Sequence, residues 1–223
     1  SAIGLVSTIR ELAHTFGLKS IIADGVETPE QRDALLDLGY RYASISNADL
    51  ARWSDGFASA LLGAGVRRGD RIALLLPNCP QFLIAELGAW KAGAVVLLLN
   101  PLYTGTELID PLRTAGVEMV VTLTPFYQRL KDIQRETRVR RVIATSIKEY
   151  LPPVLRVLFT LFREKKGGHR IDLDAGDVWF QDLLAGGAEV ELPPPPGPDD
   201  PAIMLLSGGT TGTPKAVVGL HRC

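Results

Sequence analysis

The chain has 223 residues, 46% of them hydrophobic, and its 24 basic and 25 acidic side chains give a formal net charge of −1. This balance is typical of a globular protein and gives no basic surplus for binding nucleic acid. Two cysteines, Cys79 and Cys223, provide neither a disulfide framework nor a metal-ligand spacing, and three scattered histidines form no ligand cluster. We therefore expect a cytoplasmic protein without a metal held by its own residues.

The first forty residues predict a helix, a short strand and a second helix. Residues 3–16 carry apolar side chains at helical spacing, and residues 20–23 form a short apolar run. Thr28 and Gln31 are spaced as a capping box that opens the second helix. Gly39 is a natural position for that helix to end. The segment is therefore predicted as a helix–strand–helix unit.

Residues 23–31 read Ala-Asp-Gly-Val-Glu-Thr-Pro-Glu-Gln. This stretch resembles the end of the TIM-like barrel of EAL-domain cyclic-di-GMP phosphodiesterases, with Asp24 where that family has Glu. The resemblance covers residues 1–40 and includes none of the earlier acidic positions that hold the metal ions of that family. It implies a barrel remnant, and it leaves a cyclic-di-GMP phosphodiesterase or signalling fragment as an alternative function.

From residue 41 onward, short apolar strands alternate with helices. Ser46 is spaced to cap a first helix, Thr104 to Glu107 cap a later one, and Pro111 is expected to bend or shorten that later helix. Strands without polar alternation, joined by helices, indicate a parallel sheet covered on both faces. The fold class is therefore α/β, with a doubly wound parallel sheet. The predicted strands are 72–76, 95–99, 119–122, 142–145 and 202–206. The clearest helices are the one that Ser46 caps, whose apolar stripe lies at 50–64, and the one at 80–91.

Residues 150–166 form an apolar stretch that ends in charged residues, Arg163-Glu164-Lys165-Lys166. Its apolar part is too short to cross a bilayer. An apolar helix with a basic end is compatible with a peripheral contact to a membrane surface. Packing of the same helix on the sheet explains the pattern equally well, and we keep both interpretations. Residues 192–201 are rich in proline and predict a stiff connector before the last strand.

A loop rich in glycine and threonine follows that strand. Three glycines allow backbone N–H groups to approach an anion, and the hydroxyls and one lysine add donors suited to a polyphosphate. A Walker A loop needs Gly before the Lys and Ser or Thr after it, whereas Pro214 and Ala216 stand there. The candidate phosphate-binding residues are Ser207, Gly208, Gly209, Thr210, Thr211, Gly212, Thr213 and Lys215.

The loop resembles the S/T-S-G-T-T-G-x-P-K-G motif of the AMP-forming acyl-CoA synthetase, or adenylate-forming ligase, family. Gly208 stands where that family usually has Ser, and Ala216 where it usually has Gly. Residues 65–78 match the G-V-x-x-G-D-R-V-A-I-L-L-P-N segment of the same family, and residues 100–104 match its N-P-x-Y-T turn. Residues 150–166 resemble the L-P-P-x-L-R-x-L-F insert of long-chain fatty acid–CoA ligases.

This resemblance implies binding of ATP and a fatty acid, with Mg²⁺ and coenzyme A used by the full-length family. It implies that Thr210, Thr211 and Lys215 hold the β- and γ-phosphates, with Lys215 and Thr211 as the catalytic pair. We expect residues 41–223 to be the truncated first part of the synthetase domain, inactive alone, behind a remnant at residues 1–40. A non-catalytic nucleotide-binding module is the other alternative.

Overall fold

The computed structural model describes residues 46–151, 153–162, 164–165, 168–186, 190–207 and 215–222. The chain divides into two units, 1–49 and 50–223. Apart from residues 46–49, of which 47–49 begin the first helix, everything described below belongs to the second unit. The predicted barrel remnant at residues 1–40 and the loop 208–214 lie outside the described residues.

Seven strands form one sheet, and each predicted strand of the synthetase-like part is confirmed within a residue or two. These strands read as continuous apolar runs because most of their residues are buried on both faces of the sheet. The strands are β1 (Arg71–Leu75), β2 (Val95–Leu98), β3 (Met119–Leu123), β4 (Arg141–Thr145), β5 (Val178–Trp179), β6 (Pro201–Ser207) and β7 (Lys215–Leu220).

Helices connect most of these strands. Glu107 confirms the predicted start of the third helix, because its carboxylate accepts hydrogen bonds from the backbone N–H of Thr104 at 2.7 Å and from the Thr104 hydroxyl at 2.8 Å. The same helix continues only three residues beyond Pro111. The helices are α1 (Asn47–Gly63), α2 (Pro80–Lys91), α3 (Gly105–Thr114), α4 (Thr124–Ile133), α5 (Pro153–Phe162) and α6 (Phe180–Ala185), with 3₁₀ turns at Gln134–Glu136 and Ile147–Tyr150.

The strand order is β5-β4-β3-β1-β2-β6-β7. The chain passes from β1 to β2 on one side and then returns to β3 on the other side of β1. The first six strands of the chain are parallel, and only β7 runs antiparallel to its neighbour. This confirms the predicted doubly wound sheet. In such a sheet, ligands bind beyond the carboxyl ends of the strands, where the strand order reverses.

Helices cover both faces of the sheet. On one face, α3 and α4 pack against alternate strand residues such as Ala73 and Leu75. The intervening residue Leu74 is equally buried and points to the opposite face. Near that second face α1 contacts α6 through the rings of Phe57 and Phe180, whose centroids are 4.7 Å apart. The two-sided core fixes the strand ends that carry the candidate site.

Candidate functional site

The hairpin of β6 and β7 places the first and last residues of the predicted phosphate loop, Ser207 and Lys215, at the carboxyl edge of the sheet. Strand β6 is parallel to β2, with Val96 opposite Ile203, so the two strands end at the same edge. Ser207 is the last residue of β6 and Lys215 the first of β7, and these two residues are partners in the antiparallel register. Backbone pairing therefore holds Ser207 and Lys215 side by side.

The structure thus locates the backbone of two predicted site residues, Ser207 and Lys215. The predicted strand at residues 202–206 that leads into the loop is confirmed. The remaining candidates, Gly208, Gly209, Thr210, Thr211, Gly212 and Thr213, lie outside the described residues, so their roles stay predictions.

Two side chains that the sequence analysis did not select meet at the same edge. Thr124 follows the last residue of β3, and its Oγ1 lies 3.2 Å from Nδ1 of His169. The ring of Phe159 in α5 packs edge-on against the His169 ring, with centroids 4.8 Å apart. Burial lowers the pKa of His169 and Lys148 lowers it further, while the carboxylate of Glu164 acts in the opposite direction. The net effect favours the neutral imidazole over the protonated one.

A buried polar pair lies beyond β1 and β4. The Nε2 of Gln81, in the first turn of α2, donates a 2.9 Å hydrogen bond to the carbonyl of Ser146, which follows the end of β4. Within the described part of the chain, Gln81 Oε1 and Ser146 Oγ are buried without a hydrogen-bond partner. Nearby, burial raises the pKa of the Cys79 thiol, and burial together with the charge of Glu149 raises the pKa of Tyr150.

No local pattern could have revealed these pairs. Thr124 and His169 are 45 residues apart in the chain, and Gln81 and Ser146 are 65 apart. A single Gln or Ser in an apolar context has no distinctive spacing. Among the described residues, no group of three or more His, Cys, Asp or Glu side chains could hold a metal ion. The side chains described at this edge, Thr124, His169, Gln81 and Ser146, offer hydrogen-bond donors and acceptors.

Of the segments before the loop, the proline-rich connector is bound to the sheet domain, whereas helix α5 has exposed apolar side chains. In the proline-rich connector, Asp200 Oδ2 accepts hydrogen bonds from the backbone N–H of Gly197 at 2.7 Å and from Arg68 at 2.6 Å. The bond from Arg68 joins this connector to the sheet domain.

In α5, Val157 and Leu161 are 58% and 70% exposed. Across the described ranges, we find no helix long and apolar enough to cross a membrane. Peripheral membrane contact by residues 150–166 stays a prediction.

Comparison with known proteins identifies the relatives of this chain. A sequence profile of the AMP-binding enzyme family matches residues 23–223. The long-chain-fatty-acid–CoA ligase of Bacillus subtilis is 31% identical over 207 residues, which cover 92% of this chain and 36% of that protein. A crystal structure of an acyl-CoA synthetase from Brucella canis matches with a TM-score of 0.63 and 24% identity, over 81% of this chain and 28% of that one.

Another match is the crystal structure of ATP-bound MatB from Rhodopseudomonas palustris, with a TM-score of 0.59 and 25% identity over 80% of this chain and 30% of that one. The chain thus spans about a third of the length of the curated relatives it matches. The profile match begins at residue 23, within the segment compared above with EAL domains. These relatives give no support to the EAL resemblance, and the predicted division at residue 40 stays a prediction.

Proposed function

This chain belongs to the AMP-binding enzyme family, and we propose that it provides the phosphate loop and part of the α/β domain of an ATP-dependent long-chain fatty acid–CoA ligase. The observation that carries the proposal is the β6–β7 hairpin, whose end residues Ser207 and Lys215 pair at the carboxyl edge of the sheet. This edge is where doubly wound sheets bind their ligands.

The donor set of the loop suits the phosphates of ATP. Three glycines give close access to backbone N–H groups, and three threonines and one lysine add hydroxyl and ammonium donors. We assign Thr210, Thr211 and Lys215 to the β- and γ-phosphates, with the backbone N–H groups of the glycines beside them. Hydrogen bonds to a charged partner contribute about 1.5–3 kcal/mol each. A few of them suffice to orient the triphosphate.

The reaction begins with attack of a fatty acid carboxylate oxygen on the α-phosphorus of ATP. A P–O bond forms to the carboxylate, the bond to the bridging oxygen breaks, and pyrophosphate leaves with its electron pair. The thiol of coenzyme A then displaces AMP from the acyl-adenylate and forms the thioester. Charge accumulates on the phosphate oxygens, so loop donors placed beforehand lower the barrier mainly by orientation and electrostatics.

Mg²⁺ neutralises phosphate charge when it accompanies ATP. The described residues offer no cluster of ligands for a metal ion. The long-chain substrate class is supported by the 31% identity to the Bacillus subtilis ligase. The phosphodiesterase alternative has no such support.

Fatty-acid-dependent ATP–pyrophosphate exchange tests this function. We would join residues 46–223 to the remaining part of the Bacillus subtilis relative and use the unaltered relative as a positive control. We expect exchange with a long-chain fatty acid, its loss on Lys215→Ala, and its retention on Lys165→Ala, which changes an exposed lysine outside the loop. Exchange that survives Lys215→Ala, or a folded chimera without exchange, would contradict the proposal.

A further inference from the structure

A cleft of about 580 Å³ opens at the amino edge of the sheet, opposite the phosphate loop. Arg71, Val95 and Pro201 line it, and they are the first residues of β1, β2 and β6. Ligand sites typically have volumes of about 300–1,000 Å³, so the cleft has room for a small molecule. Four arginines line it, and we call it the arginine cleft: Arg68, Arg71, Arg113 and Arg138.

The charge of the arginine cleft differs from that of the whole chain. Asp200 is the only acidic residue among its lining residues, against the four arginines, whereas the chain has a formal net charge of −1. Asp200 is already paired with Arg68 at 2.6 Å. Within the described residues, the other three guanidinium groups have no carboxylate within salt-bridge distance. Arg113 and Arg138 also line an adjoining hollow with Asp110 and Glu136. These carboxylates are not within salt-bridge distance of them in the described part of the chain, so three cations face the cleft without a directly paired counter-charge.

Two glycines allow the arginines to lie close to the backbone. A Cβ atom at Gly116, where φ is +61°, would come within 3.2 Å of Nη2 of Arg71. A Cβ atom at Gly93, where φ is +81°, would come within 3.2 Å of Cγ of Arg68. Both turns favour glycine because of their positive φ. The same turns therefore leave the space in which these two side chains lie at the rim of the cleft.

Like charges that share one cleft repel each other, and a multivalent anion relieves that repulsion. Guanidinium groups bind phosphate through two parallel N–H donors, and they bind it more selectively than ammonium groups do. From the unpaired arginines, the cleft volume and the glycine turns, we propose that the arginine cleft binds a ligand with two or more phosphate groups. This site is separate from the phosphate loop and does not depend on the proposed ligase function.

Calorimetric titration with inorganic triphosphate tests the proposal. The chain with Lys215→Ala serves as the parent protein, so that the phosphate loop contributes little to the signal. We expect one triphosphate per chain, with affinity that falls as salt is raised. Adding Arg113→Ala and Arg138→Ala should weaken binding at least about tenfold. Adding Arg170→Ala, an exposed arginine outside the cleft, should leave binding unchanged.

A second arm distinguishes a soluble ligand from a lipid headgroup. The same proteins are sedimented with vesicles of phosphatidylinositol bisphosphate, whose headgroup carries several phosphates, in phosphatidylcholine, with pure phosphatidylcholine vesicles as the control. Triphosphate binding that needs Arg113 and Arg138 identifies a soluble ligand, and binding to anionic vesicles alone that needs the same residues identifies a headgroup. Either result supports the anion site. If neither probe binds, or if the double variant binds as the parent does, the proposal is wrong.

Discussion

The hydroxyl of Tyr127 donates a 2.6 Å hydrogen bond to Oδ2 of Asp177 and accepts one of 2.8 Å from the backbone N–H of Asp174. Lys131 Nζ lies 2.8 Å from the same Oδ2, and the backbone N–H of Val142 donates to Oδ1 at 2.8 Å. The Asp177 side chain is 1% exposed. One buried carboxylate therefore joins helix α4, strand β4 and the turn before β5.

Removing the Tyr127 hydroxyl should destabilise the domain. Tyr127→Phe leaves the buried Asp177 oxygen with one donor fewer and the Asp174 N–H without its acceptor. We expect a loss of about 1–3 kcal/mol in the free energy of unfolding, measured by urea denaturation. Tyr103→Phe is the control, because no hydrogen bond from the Tyr103 hydroxyl is found among the described residues. An equal loss in both variants would contradict the role of this network.

Two helical glycines should respond to alanine in opposite directions. At Gly88 in α2, a Cβ atom would meet Cδ1 of Phe57 at 2.8 Å and the carbonyl of Ser54 at 3.0 Å. At Gly56 in α1, the nearest atom is Cδ2 of Leu184, at an ordinary 3.9 Å. Gly88→Ala should therefore cost about 1–3 kcal/mol from overpacking. Gly56→Ala should stabilise by about 0.4–1 kcal/mol, because it restricts the unfolded chain.

Thermal unfolding of both variants under the same conditions measures this difference. Since both substitutions add one methyl group to a helix, they share the same gain in helix propensity. A higher melting temperature for Gly88→Ala than for Gly56→Ala would show that α1 and α2 do not pack as closely as described.

The stability of the domain should decrease in mild acid through His169. Its pKa in the folded protein is lowered, mainly by burial, from the ordinary value of 6.5. Between that lowered pKa and pH 6.5 the unfolded chain binds more protons than the folded one. The contribution of the neutral His169 to the free energy of unfolding is therefore complete above pH 6.5. It is lost as the pH falls through the pKa that His169 has in the folded protein.

The free energy of unfolding, measured by urea denaturation at several pH values between 8 and 5, tests this dependence. His169→Gln should reduce the decrease in stability over that range, because glutamine does not titrate. The comparison at pH 8, where His169 is neutral in both states, gives the separate cost of the altered contacts with Thr124 and Phe159. An unchanged slope in the variant would show that His169 does not cause the acid sensitivity.

Local patterns predicted the sheet because burial on both faces leaves an unbroken apolar run, as at Ile72 to Leu76. The cap formed by Thr104 and Glu107 could also be predicted from the sequence, since both partners lie within four residues. The contact between Thr124 and His169 could not be predicted, because only the return of the chain after α5 brings the two residues together. The arginine cleft was missed for the same reason, since three separate loops and helix ends supply Arg68, Arg113 and Arg138.

For the candidate site, the sequence identified the loop from its residue types, and the structure adds the position of its first and last residues, Ser207 and Lys215, at the carboxyl edge of the sheet. The pairing of Ser207 with Lys215 could not be read from the motif, because it depends on β7 folding back onto β6. The contacts of residues 208–214 lie outside the described residues, and their assignment to phosphate stays a proposal.

ATP binding by the 223-residue chain with Arg113→Ala and Arg138→Ala, which removes binding at the arginine cleft, tests the phosphate assignment of the loop most directly when it is followed by NMR or calorimetric titration. We expect weak binding, with a dissociation constant of about 1 mM, which corresponds to about −4 kcal/mol. Lys215→Ala should weaken it at least about tenfold, because the lost contact is a charge-assisted one, and Lys165→Ala should leave it unchanged. AMP, which lacks the β- and γ-phosphates, should respond to neither substitution. If ATP binds equally well to the Lys215→Ala variant, the loop at residues 207–215 does not hold its phosphates.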